Sequence, residues 1–405
     1  MQSLGRTNFH EVLAAGVIFW AICPPLQYST MMRIVACLCA VIWFSLALPR
    51  CRARKYHCMN VFVTAFIFGL LMLCMRFFMT EGTFFRALTK CLHTYIFLLI
   101  LCIGNFYLED DQSFLIKISY SVVSLSAGFA LITFYFCLRH PNLARSMVYS
   151  AELGQNYSRL GVGGYGLAFS CIFYCLAILY IYRYLSQRLR YIALGCLGVM
   201  TLMIFKASFL IAFLLTLMVY LMFFLKIYTR PNAKKTLTYM IVSVFLVGFF
   251  IRLLLMTYGD FLIDFMADTP YALKTKDIVY TFNGMEGVGK VDGRLTRYMA
   301  SLGSAFKFFF TGSILLKRSS ELGHHSVLLD TLAYYGVFVS SFYYYTLHKG
   351  ISAIKCMTHD KGFYYAYYLL IVLLGILDNY VGEFAVPFFI VVPAAAIYRS
   401  KFVHV

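Results

Sequence analysis

The chain has 405 residues, 61% of them hydrophobic and only 13% charged, with a mean hydropathy of +0.77; a soluble domain runs nearer roughly 45–50% apolar and about 25% charged. That gap excludes an ordinary water-soluble enzyme, and 40 Phe with 32 Tyr exclude a disordered chain. The formal net charge of +18 would suggest nucleic acid in a soluble protein, but here most of the excess sits in short connections between apolar runs, where it orients membrane segments; no nucleic-acid partner is expected.

A bilayer core about 30 Å thick needs roughly 20 apolar residues per helix. Backbone in lipid must satisfy its own hydrogen bonds, which leaves helices or a closed barrel. Barrel strands alternate apolar and polar residues, whereas this chain carries unbroken apolar runs such as Ile211 to Leu225 and Met240 to Phe250. Helices are therefore expected. In chain order the spans fall near 9–24, 31–48, 59–76, 90–108, 113–138, 160–182, 190–205, 207–227, 236–257, 326–347, 363–381 and 384–398. The first run ends at Cys23-Pro24-Pro25 with no small-x-small cleavage site, so it reads as a retained helix rather than a cleaved signal. The seventh and eighth spans meet at Lys206, and the last two near Glu383. The expected fold is all-α: one polytopic integral membrane domain over 1–405 with about twelve transmembrane helices.

Short-loop cations set the orientation. With the N-terminus in the cytoplasm, Arg50, Arg52, Arg54 and Lys55 lie inside, as do Arg183, Arg188 and Arg190, then Lys226, Arg230, Lys234 and Lys235, then Lys349, Lys355 and Lys361. Arg399 and Lys401 close an inner tail, so both termini are expected to be cytoplasmic. Glu109-Asp110-Asp111 is an acidic exception on the inner side, and acidic residues count little in this rule. The arrangement leaves one long periplasmic segment, 258–325, where Leu295 to Phe310 has helical apolar spacing and is expected to lie as a helix on the outer interface. A second outer segment, Arg139 to Arg159, is expected to be partly helical. There is no pair of Gly-broken helices in corresponding halves of the kind that marks many transporters.

The 13 Cys are odd in number and form no CxxC pair. Most sit in apolar runs, where Cys behaves as a small hydrophobe, so neither a disulfide framework nor a metal site is expected, and no cofactor is implied. There is no P-loop, GxSxG or HExxH, and the long outer segment has no DxD-type pair for a metal-dependent sugar transferase.

Chemistry is expected at cations near outer helix ends. Arg159 precedes Leu160-Gly161-Val162-Gly163-Gly164-Tyr165-Gly166. Glycines allow close backbone approach, and a helix start beside a guanidinium suits an anion. Lys206 stands alone between two apolar runs. Arg294 and Arg297, three apart on one helix face, would repel unless an anion or Asp292 lies between them. His324-His325 precede the span that begins Ser326-Val327-Leu328-Leu329-Asp330, and an imidazole there could move a proton near neutral pH. His325 and Asp330 also fit H-x4-D, but on one helix they would point about 140° apart. Asp378 and Glu383, acids at or inside membrane depth, are candidates by default.

Taken in order, the Gly-rich region after Arg159, a cation at Lys206 opening a later span, Gly293-Arg294-x-x-x-Tyr298 in the long segment, and Gly323-His324-His325-Ser326 followed by Leu329-Asp330 and Tyr335-Gly336 resemble the O-antigen polymerase and O-antigen ligase superfamily. The resemblance covers about 155–340. It implies a GT-C-like, metal-independent glycosyltransferase of the bacterial inner membrane. Its partners would be undecaprenyl-diphosphate-linked oligosaccharide donor and acceptor and membrane lipid, with room for a chain-length regulator protein. It gives Arg159, Lys206, Arg294 and Arg297 a diphosphate-binding role, and His325, with His324 and Arg294, a catalytic one. Ligases carry an Arg-x-x-x-Trp-like motif and a His-Asn pair; Tyr298 and Ser326 in those places point to the polymerase branch, and Lys206 stands where ligases often have Arg. A ligase joining glycan to lipid A-core is the alternative, and a lipid-linked oligosaccharide transporter is the alternative from another class.

Overall fold

The structure, a computed structural model, describes residues 9–27, 29–54, 56–79, 83–140, 143–207, 210–229, 233–268, 275–276, 279–280, 290–316, 322, 326–358, 360–378 and 382–403. Among them there is no β-strand; the protein is all-α. The principal helices are α1 Phe9–Ile22, α2 Thr30–Arg54, α3 Cys58–Met79, α4 Phe84–Glu109, α5 Gln112–Arg139, α6 Leu143–Tyr149, α7 Ala151–Arg159, α8 Tyr165–Ile181, α9 Gln187–Lys206, α10 Leu210–Phe224, α11 Ala233–Phe265, α12 Lys290–Lys307, α13 Val327–Ser352, α14 Lys361–Leu377, α15 Gly382–Val386 and α16 Val392–Val403, the last two joined by a π turn at Pro387–Val391. Among the described residues six helical stretches are long and apolar enough to cross a membrane: Met31–Arg54, Cys58–Phe78, Gln112–Arg139, Tyr165–Tyr184, Gln187–Lys206 and Glu383–Phe402. Four shorter apolar helices accompany them, at Phe9–Ile22, Thr94–Glu109, Ile211–Phe224 and Lys361–Leu377. Large apolar side chains stand exposed on several of these surfaces, Met31 at 75% and Phe66 at 62% among them. Such a surface suits lipid and not water.

The chain divides into two compact units. The first comprises 1–229, 341–370 and 380–405; the second comprises 230–340 and 371–379.

In the first unit, α8 is the central rod: every residue from Leu167 to Tyr180 is buried. One end of the unit is held by acids. Glu109 accepts from the backbone N–H of His57 (2.8 Å) and Cys58 (3.0 Å), capping the start of α3. Asp110 pairs with Arg54 and accepts from the Tyr56 hydroxyl (2.8 Å). Asp111 caps α5, accepting from Ser113 N (2.8 Å) and Phe114 N (3.3 Å). The acidic run that looks anomalous in the loop-charge pattern is thus spent on two helix starts and an ion pair. The same end holds a second knot. Arg399 pairs with Asp360, lies 4.3 Å from the Tyr180 ring centroid, and Tyr180 donates to Asp360 (3.1 Å).

The π turn has a local cause. Pro393 has no N–H to offer the carbonyl four residues back, and its ring crowds that carbonyl, which belongs to Phe389. The helix widens instead, and Val392 N–H donates to Pro387 O. Loosened carbonyls find other partners: Tyr367 donates to Phe388 O (2.7 Å) and Ser119 to Ile390 O (3.3 Å). The Phe389 carbonyl presses on Gly104 of α4, where a Cβ would overlap its oxygen and sit 2.8 Å from its carbon.

In the second unit, α11 runs on to Phe265, two turns beyond the expected span end at 257, so the long segment begins as helix. The amphipathic stretch is helical as far as Lys307, as α12, and ends in a turn over 308–311. The expected continuous span 326–347 is interrupted: within α13, Gly336 has φ 72° and ψ 171°, a region open essentially to glycine alone. The interruption is a crossing of two backbones. Val337 N donates to Phe309 O (2.7 Å), and Gly312, at φ 72°, lies against Tyr335 and Gly336.

Candidate functional site

The first unit contributes Arg159, Lys206 and an acid. Ser150 caps α7 through Leu153 N (3.3 Å), and Arg159 ends that helix with an exposed side chain. The turn after it is pinned at Gly163, whose N–H donates to Thr133 Oγ1 (2.7 Å). Three residues on, the Glu383 carboxylate occupies the place a Gly166 Cβ would take. The Gln27 amide lies alongside that carboxylate, and Ser170 donates to the Glu383 carbonyl (3.4 Å). At Gly161, Gly163 and Gly166 the space expected to admit a ligand is taken by the chain's own side chains, while Gly164 has nothing within 4 Å of an added Cβ. The positive end of α8, expected to favour an external anion, already faces an acid of the same chain. Lys206 closes α9 rather than opening the next helix and is half-buried. A cation in a last turn also suits the orphan carbonyls there.

The second unit contributes α12 and its surroundings. Arg294 and Arg297 both lie on this helix, one turn apart; Arg297 is exposed, and the side chain of Arg294 lies outside the described set. Ser301, Ser304 and Ala305 form its buried face, continued by Phe308 just past its end. Tyr298 donates to Leu377 O (2.6 Å) and Ser301 to the Asp330 carboxylate. Asp330 also accepts from Ser326 N (2.9 Å), while Ser326 Oγ accepts from Leu329 N (3.2 Å) and donates to Gly375 O (3.1 Å). Together these bonds clamp α12, the start of α13 and the end of α14. Tyr298, Ser326 and Asp330, members of the motif set, are thus explained as a structural clamp that presents the arginine-bearing helix. His324 and His325 lie outside the described residues.

Residue chemistry alone gave no sign of Gln27 or Thr133. Each is a polar group at or inside an apolar stretch, which is the one signal that could have flagged them. No model of a known protein family matches the chain, and no curated protein matches it.

Proposed function

We propose that the protein is an O-antigen polymerase of the bacterial inner membrane, with about twelve spans, both termini cytoplasmic and segment 258–325 in the periplasm. The observation that carries the reading is Arg297 exposed on amphipathic α12, with Arg294 one turn before it. A hydroxyl of the lipid-linked repeat unit attacks the anomeric carbon of the growing glycan. The bond to undecaprenyl diphosphate breaks, and the hydroxyl proton passes to His325 or His324. Negative charge then develops on the diphosphate. Guanidinium charge from Arg294 and Arg297, one turn apart on α12, stabilises it as it forms.

The test uses membranes supplied with lipid-linked repeats and no core acceptor. A ladder of lengthening glycans supports the polymerase, and Arg294→Glu should remove it while translocated repeats accumulate. Transfer that requires lipid A-core would assign the chain to ligation. The membrane-depth acid Glu383 favours a second reading, an ion-coupled transporter of the lipid-linked glycan; loss of translocation in Arg294→Glu membranes would favour it.

A further inference from the structure

The first unit holds a cavity that the proposed reaction leaves unused. It measures about 310 Å³, within the roughly 300–1,000 Å³ of small-molecule sites. Its walls come from α5, α8, α9 and α16, through residues such as Ile116, Ile181, Cys196 and Tyr398. The hollow has a cause in the sequence. Ala177, Ala193, Ala394 and Ala395 line it from three helices, and a methyl group there leaves volume that a larger side chain would fill. The surrounding helix surface is one that meets hydrocarbon: Ile192 is 59% exposed and Tyr120 40%.

Charge supplies the second observation. At one end the lining residues are interleaved with cations. Lys117 follows Ile116, Arg183 lies between Ile181 and Leu185, Arg188 and Arg190 flank Leu189, and Lys401 stands three residues beyond Tyr398. All five cations are exposed, and Arg190 donates to Arg183 O (2.6 Å). Nearby carboxylates are committed: Asp360 to Arg399 and Tyr180, Asp111 to the start of α5. An apolar slot with a cationic rim matches a molecule that is anionic at one end and hydrocarbon at the other.

We infer that this cavity binds an anionic phospholipid: one acyl chain enters between α5, α8, α9 and α16, and the phosphate rests on the rim formed by Lys117, Arg183, Arg188 and Arg190. The inference does not rest on the glycosyltransferase reading.

Native mass spectrometry of the full chain in mild detergent, titrated with phosphatidylglycerol or phosphatidylcholine, tests it. One phosphatidylglycerol should be retained at a concentration at least about tenfold below that needed for phosphatidylcholine, a difference of roughly 1.4 kcal/mol. Ala394→Trp should fill the slot and remove that lipid. Arg188→Gln with Arg190→Gln should erase the headgroup preference yet leave chain binding. Because a tryptophan can disturb folding, the unaltered protein is also treated with phosphatidylglycerol bearing a photoreactive diazirine in its acyl chain. Adducts should concentrate in 116–124, 177–196 and 391–398. Equal retention of the two lipids, full retention by a folded Ala394→Trp protein, or adducts spread evenly over α2 and α3 would overturn the inference. So would a polyprenyl phosphate that displaces phosphatidylglycerol at a lower concentration than phosphatidylglycerol itself requires.

Discussion

Replacing Gly336 by alanine asks whether Tyr335-Gly336 serves the chain path or the chemistry. Two costs can be worked from the structure. At φ 72° and ψ 171° an L-residue is strained by about 1–3 kcal/mol. The added methyl would also meet Phe310 O at 2.5 Å and Gly312 N at 2.7 Å; both are backbone atoms, so no rotamer change relieves them, and overpacking of this kind costs about 1–3 kcal/mol. If the crossing opens, the Val337 N to Phe309 O bond (2.7 Å) is lost as well, adding about 0.5–1.5 kcal/mol. A destabilisation near 3 kcal/mol or more is expected. Gly303, inside α12, is the control, since a methyl added there would have nothing within 4 Å; alanine at that position should stabilise by up to about 1 kcal/mol through helix propensity. The assay is retention of monodisperse protein after heating in detergent, with both variants beside the parent. Opposite shifts support the reasoning. A Gly336→Ala protein within about 0.5 kcal/mol of the parent refutes it, and one that is stable yet inactive would return the motif to the chemistry.

Gly104→Ala should separate α4 from the π turn, because the obstructing atom is the Phe389 carbonyl; a loss of about 1–3 kcal/mol is expected in the same heating assay. At the Arg399–Asp360 knot, Arg399→Leu alone leaves Asp360 in a site where the two side chains are only 13% and 16% exposed, and a drop of about 3–5 kcal/mol is expected. Adding Asp360→Asn should recover part of it, so a double-mutant cycle that is strictly additive would show that the pair does not couple. Gly166→Ala displaces the Glu383 carboxylate, whose flexible end can swing aside, so neither it nor Glu383→Gln should lower heat stability by more than about 1–2 kcal/mol; the proposed polymerisation gives Glu383 no step, so both should leave glycan lengthening unchanged, and loss of translocation in Glu383→Gln membranes would favour the transporter.

Hydropathy located most of the apolar helices, since lipid selects for that property directly. It could not see where two backbones cross. The interval 326–347 reads as one apolar run, and only the dihedral at Gly336 divides it. Lys206 was equally opaque: with almost no loop between two runs, a cation can be assigned to either, and it proves to end α9. Composition likewise labels Glu109, Asp110 and Asp111 as anomalous inner acids, while their contacts with the starts of α3 and α5 and with Arg54 account for each one. The Gly-rich stretch after Arg159 carried real information about close approach but none about what approaches, and the partners are Thr133 and Glu383, 30 and more than 200 positions away. Arginines in the 258–325 segment were visible from their spacing; the clamp of Tyr298, Ser301, Ser326 and Asp330 was not, because all but the Ser301–Asp330 bond involve main-chain atoms, as at Leu377, Gly375 and Ser326.

The π turn at Pro387–Val391 also fixes the angular phase of the final helical rod. One inserted position rotates everything downstream by about 100°. Upstream of it Glu383 faces Gly166; downstream Arg399 reaches Asp360. A regular α-helix through 387–391 could keep one of these appointments but not both, so Pro393 acts as the timing mark by which a single rod meets its partners at two distant levels of the bundle.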